Sequence, residues 1–277
     1  IARCIYNLLL ILALPLILLQ LLWCGIKVPS YSKRWLERWG VFSAPTKTGG
    51  IWIHTISVGE FMAALPMIQQ LLKRYPHKLI IVTTTTPTGS ARVLATLGDT
   101  VFHVYLPYDY PFGINNFLRL VQPKICIILE TELWPNLLHA CAVNKIPVLL
   151  VNGCVSPHSF QGYKLIPWIV REMLFRFTYV MAKSAIDGER FLQLGLPANK
   201  LAIPGNIKYD MPVQTSHIAL GQELRQTWGH RLVIVAASTH AGEEQQVLDA
   251  FKIVQPQIPE ALLVLVPRHP ERFAAVA

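Results

Sequence analysis

Acidic side chains stand where two short apolar runs give way to helical patterns. Ile51–Thr55 is followed by Ser57-Val58-Gly59-Glu60, and Ile125–Leu129 runs into Glu130-Thr131-Glu132-Leu133-Trp134-Pro135-Asn136. A carboxylate held in a cleft can act as general base toward an incoming hydroxyl. Glu60 also falls in the first turn of its helix, where the dipole favours a negative charge, and spacing alone leans to that plainer role. Gly59 permits a ligand to approach the backbone closely, and Ser57 adds a hydroxyl beside it. Two carboxylates at the end of an apolar run are costly to bury without partners, which points to a site. Glu130, nearest the run, is the stronger candidate; Glu132 doubles as a cap for the next helix.

Donors follow other apolar runs. After Leu79–Thr84 come Thr85-Thr86-Pro87-Thr88-Gly89-Ser90-Ala91-Arg92, whose hydroxyls and amides at a helix start suit an anionic or sugar ligand. Ser90 and Arg92 are the candidate contacts there, and the same segment serves equally as a plain cap. No lysine follows the glycine as a P-loop requires. Gly205-Asn206-Ile207-Lys208 offers one cation, and Arg268-His269 offers donors placed to meet a phosphate. The nine histidines form no HExxH or tight His/Cys cluster, so no metal and no cofactor is expected. Five cysteines without a CxxC pair argue against a disulfide scaffold and fit a reducing compartment.

The elements that must position these residues alternate regularly. Seven candidate strands between residues 51 and 203 are separated by helical patterns, which implies right-handed crossovers and a parallel sheet covered on both faces. Ligands of such sheets bind at the carboxyl ends of the strands, where the candidates above fall. The helix over Glu60–Tyr75 contains Pro66, so a kink is expected there. Met211–Ser216 reads as a linker, after which a second unit runs helix, strand, helix, strand to Ala277. The expected organisation is an anchor over 4–26, a basic aromatic segment over 27–50, one α/β domain over 51–210 and the start of another over 217–277. Two strands are too few for a doubly wound domain, so the second is expected to be incomplete.

Hydrophobic residues make up 52% of the 277, charged residues only 15%, and mean hydropathy is +0.39. Those values exclude a disordered chain and predict a part that meets lipid. The uncharged stretch between Arg3 and Lys27 is about 34 Å long as a helix, enough to cross a hydrocarbon core of about 30 Å. Lys27, Lys33, Arg34 and Arg38 follow it, so the positive-inside rule puts the rest of the chain in the cytoplasm. Tyr31, Trp35 and Trp39 share a helical face among those cations, suited to anionic headgroups; the alternative is a helix packed on the following domain. The net charge of +9 is scattered and accompanies no nucleic-acid motif, so no nucleic-acid partner is expected.

Six ordered segments carry a family resemblance: Trp52–Glu60, Tyr105–Asp109, Glu130–Asn136, Gly205–Asp210, Ala237–His240 and Val266–Phe273. Together they resemble the 3-deoxy-D-manno-octulosonic acid (Kdo) transferases of lipid A synthesis, from the anchor onward. The resemblance implies a GT-B fold of two Rossmann-like domains. It also implies metal-independent, inverting transfer of Kdo from CMP-Kdo to a tetraacylated lipid A precursor at the cell inner membrane. It assigns Glu60 as catalytic base, Glu130 and Lys208 as transition-state stabilisers, and Arg268 and His269 to the CMP site. Ile1 stands where a start methionine is expected, and family members continue past Ala277, so this chain is expected to be inactive alone. Two other readings stay open: a membrane-tethered fragment that binds the lipid acceptor without catalysis, and a GT-B enzyme for another nucleotide sugar.

Overall fold

A computed structural model describes residues 2–27, 33–210 and 215–277. The chain parts into two compact units near residue 211. In the larger, seven strands form one sheet: β1 (Ile51–His54), β2 (Ile80–Thr84), β3 (Phe102–Tyr105), β4 (Ile125–Leu129), β5 (Val148–Gly153), β6 (Tyr179–Ala182) and β7 (Leu201–Ala202). Every pairing is parallel, in the order β3-β2-β1-β4-β5-β6-β7. The chain therefore lays down β1, moves outward to β3, and returns to the other side of β1 as β4. That reversal is a topological switch point, and it opens a crevice at the carboxyl ends of β1 and β4.

Alternation along each strand feeds two cores. Trp52 and Ile128 join a cluster on one face with Phe117, Leu137, Leu174 and Phe191. Ile53, Val82 and Leu129 join the other with Phe61, Ile68 and Val93. Helices α2 (Val58–Arg74) and α3 (Pro87–Leu97) cover the second face. Helices α4 (Pro111–Val121), α5 (Pro135–Val143), α6 (Pro157–Lys164), α7 (Pro167–Arg176) and α8 (Ala185–Gln193) follow the remaining strands, and each places at least one residue in the first core. In this unit the predicted alternation holds, with element ends shifted by a residue or two and one helix, α6, that the sequence pattern missed. Helix α2 runs unbroken through Pro66, with Ala64 and Ile68 on either side buried against the sheet.

Helix α1 (Ala2–Lys27) precedes the sheet, and its stretch Arg3–Ile26 is long and apolar enough to cross a membrane. Its first turns touch the domain. Asn136 Nδ2 donates to Asn7 Oδ1 at 2.6 Å, and the Tyr110 hydroxyl donates to the Leu10 carbonyl at 2.7 Å.

The basic segment after α1 differs from its expected headgroup-facing helix. Residues 28–32, Tyr31 among them, lie outside the described residues; Trp35–Trp39 form one short 3-10 helix. Arg34 reaches the Ser90 hydroxyl at 3.0 Å and the His103 carbonyl at 2.9 Å. Arg38 is buried, donating to the Thr85 carbonyl at 2.8 Å with its guanidinium 4.2 Å from the Tyr105 ring centroid. Trp39 packs on Tyr108, Tyr110 and Phe112. A guanidinium is more weakly hydrated than an ammonium and stacks on aromatic faces, so these two cations can turn inward and serve the domain.

The smaller unit holds α9 (Thr215–Trp228), β8 (Val233–Thr239), α10 (Glu243–Val254) and β9 (Leu262–Pro267), with β8 and β9 parallel. The linker expected at Met211–Ser216 falls on residues 211–214, outside the described residues, and on the start of α9. Buried Glu244 pairs with Arg272 at 2.9 Å, which holds its carboxyl down at about 2. The fold class read from the sequence, an α/β chain of parallel sheets behind an apolar helix, is the one observed.

Candidate active site

Glu60 is the third residue of α2, and Ser57 is its N-cap. The Ser57 hydroxyl accepts from the Glu60 amide at 3.4 Å and donates to Glu60 Oε1 at 3.2 Å. Glu60 Oε2 accepts the Ile56 amide at 2.6 Å, closing a capping box one residue early. The Ile56 peptide is fixed from its other side too, because its carbonyl accepts from the Thr86 hydroxyl at 3.1 Å. Gly89 makes that approach possible: a Cβ there would sit 3.3 Å from the Ile56 carbonyl oxygen and 2.9 Å from Thr86 Oγ1. The plainer role of Glu60, satisfying its own helix start, is thus real, and it also locks the carboxylate in place.

Across the switch point, Glu130 ends β4 in the left-handed backbone region, φ 57°. Non-glycine residues adopt that conformation at a cost, and it turns the chain sharply out of the strand. The Glu130 amide still bonds the Val151 carbonyl at 2.9 Å, so the turn is anchored to β5. Glu130 Oε1 lies 3.0 Å from Lys208 Nζ. The Lys208 turn is held by two asparagines. Asn152 Oδ1 accepts the Ile207 amide at 3.2 Å, and Asn206 Oδ1 accepts the Lys208 amide at 3.1 Å.

The structure therefore brings Glu60, Glu130, Glu132 and Lys208 into one electrostatic cluster. Burial raises the Glu60 carboxyl above its ordinary range; the bonds from Ile56 and Ser57 and the charge of Lys208 oppose the rise, and Glu130 adds to it. Burial, with the charges of Glu60 and Glu130, pushes Glu132 up to about 7. Like charges gathered in one crevice make a carboxylate a stronger base, and the lysine among them keeps it ionisable. Among the described residues, no group of three His, Cys, Asp or Glu side chains is arranged to hold a metal ion.

Other sequence candidates are placed differently. Ser57 and Gly59 sit in the first turn beside Glu60. Ser90 was a candidate ligand contact, but its hydroxyl is buried and taken up by Arg34 and His103, the latter at 2.8 Å. Arg92 lies exposed on α3. Arg268 and His269 follow β9 in the smaller unit, where the Arg268 amide bonds the Thr239 carbonyl at 2.9 Å. Glu132 does not cap α5. That cap comes from Asp109, whose carboxylate oxygens accept the amides of Asn136 and Leu137 at 2.9 and 2.8 Å. Spacing gave no hint of Asp109 or Asn152; their partners lie 27 and 55 residues away in sequence.

Comparison with known proteins gives this arrangement its context. Residues 33–211 match the family described as 3-deoxy-D-manno-octulosonic-acid transferase (kdotransferase). A protein of Haemophilus influenzae named 3-deoxy-D-manno-octulosonic acid transferase is 44% identical over 279 residues, covering 99% of this chain and 65% of the relative. One of the same name from Bordetella pertussis is 33% identical over 235 residues, covering 82% and 54%. The chain thus spans less than two thirds of the length of the curated relatives it matches. Among solved structures, the UDP-GlcNAc 2-epimerase of Neisseria meningitidis superposes with a TM-score of 0.57 at 15% identity, covering 78% of this chain and 64% of that one. The epimerase of Methanocaldococcus jannaschii gives 0.53 at 14%, covering 83% and 68%. At such identities the likeness is one of fold.

Proposed function

Since the chain belongs to the family of 3-deoxy-D-manno-octulosonic acid transferases, we propose that it forms the acceptor side of an enzyme that transfers Kdo from CMP-Kdo to a lipid A precursor during lipopolysaccharide synthesis. Glu60 is the base. It takes the proton from the acceptor hydroxyl as that oxygen attacks the anomeric carbon, and the Kdo–phosphate bond breaks on the opposite side with inversion. The electron pair leaves on the CMP phosphate. Lys208, held by Glu130, is one of the positive groups that stabilise the charge growing there, the service a divalent ion gives in metal-dependent sugar transferases. Arg268 and His269 hold the CMP phosphate by charge-assisted bonds.

The observation that carries this reading is the position of Glu60: a half-buried carboxylate pinned by the Ile56 amide at a switch point, with the Glu130–Lys208 pair across the crevice. Helix α1 supports a membrane-bound acceptor, and we take it as a single-pass anchor at the inner membrane with the sheet on the cytoplasmic side. The test is mass spectrometry of lipid A precursor after incubation with CMP-Kdo and protein carrying this chain. Glu60→Gln should lower transfer by about 10²–10⁴-fold with an unchanged circular dichroism spectrum. Wild-type rates in that variant would remove Glu60 as base.

A further inference from the structure

Beside the carboxylate cluster lies a cavity of about 290 Å³, walled by Ile56, Leu106, Pro107, Tyr108, Trp134 and Leu137. It is smaller than most small-molecule sites, which span roughly 300–1,000 Å³. Two charged side chains also border it, and each is spent on the protein. Arg38 donates to the Thr85 carbonyl and lies over the Tyr105 ring. Asp109 caps α5. What remains for an occupant is a narrow, apolar slot.

Its two ends identify the occupant. On one side, the amide of Ile56 holds Glu60, and Trp134 stands two residues along the chain from Glu132, so the wall is shared with the segments that carry the carboxylates. On the other side, Asp109 bonds Tyr6 of α1, and Asn136, next to the lining Leu137, bonds Asn7 of α1. The slot thus runs from the docking point of the apolar helix to the base. A molecule with a hydrocarbon tail and a sugar hydroxyl at its head would fill that span. Resting on the function proposed above, we infer that this cavity seats one acyl chain of the sugar-linked lipid acceptor and so sets the position of its hydroxyl at Glu60.

A chain entering from a bilayer leaves one hydrocarbon medium for another, so the cavity gains little from hydrophobic transfer; van der Waals fit decides what it accepts. The cavity therefore orients the acceptor and selects chain shape more than it drives binding.

The test uses an acylated, phosphorylated diglucosamine with a photoreactive diazirine at the end of one chain, and phosphatidylglycerol with the same group, each in detergent micelles with the wild-type protein. After irradiation, peptide mapping should find the glycolipid on the segments holding Leu106–Tyr108 or Trp134–Leu137, and the phospholipid on α1 and exposed surface alone. Leu106→Trp, which fills the slot, should cut that cavity labelling about tenfold. Glu60→Gln should lower transfer by the same factor, about 10²–10⁴-fold, and leave cavity labelling as in wild type. Cavity labelling without transfer by the wild type would count against the Kdo reading and still support the acyl site. The inference fails if the glycolipid leaves the cavity peptides unlabelled, or if phosphatidylglycerol labels them equally.

Discussion

Burial lifts the carboxyls of both Glu60 and Glu132, but only Glu60 has its charge offset by a backbone amide at 2.6 Å. The two therefore part company in their costs. Glu132 stands at about 7 in the folded protein against an ordinary 4.5, so between those values the folded state binds the extra proton. Stability from this group falls as pH rises through that window and is lowest above it. Glu132→Gln removes the penalty. Thermal melts should find the variant more stable than wild type at pH 8, by about 1–3 kcal/mol, with the difference gone near pH 4.5. A constant difference across pH would mean that Glu132 is not held protonated by its surroundings. Lys208 has a double task at this scale: it partners Glu130 and helps keep Glu60 ionisable.

Among the elements, α5 depends on a residue from another part of the chain. Its N-cap position, Trp134, has no side-chain cap bond, and the buried Asp109 supplies both acceptors from the loop after β3. Burial pushes the Asp109 carboxyl up to about 6, against the pull of those two amides. Asp109→Ala orphans both N–H groups and should cost about 2 kcal/mol in urea denaturation at pH 7. An unchanged midpoint would show that α5 holds its start without the cap. The same change removes the partner of Tyr6, so the docking of α1 should loosen with it.

In the whole molecule, aromatic side chains are exposed next to α1 as well as on it. Trp168 and Phe175 on α7 are exposed, and Arg171 and Arg176 lie on the same helix, which α1 contacts. Deleting residues 2–27 should therefore leave residual binding to anionic vesicles that salt weakens, read by co-sedimentation. Complete loss of binding would assign all membrane affinity to α1. The alternation of strand and helix was legible in the sequence by itself, because hydrophobic periodicity is local, and so were Glu60 and Glu130 as carboxylates after strands. The sequence also determined the apolar run of α1, a matter of composition. It did not determine that β4 returns beside β1, which is what joins residues 60 and 130 in one crevice. Nor did it show that Arg34 and Arg38 turn inward to Tyr105, that Asp109 caps α5, or that a slot lies between α1 and the base. Those are contacts between distant segments, fixed by packing and by the need to pair buried polar groups, and only the folded chain brings them together.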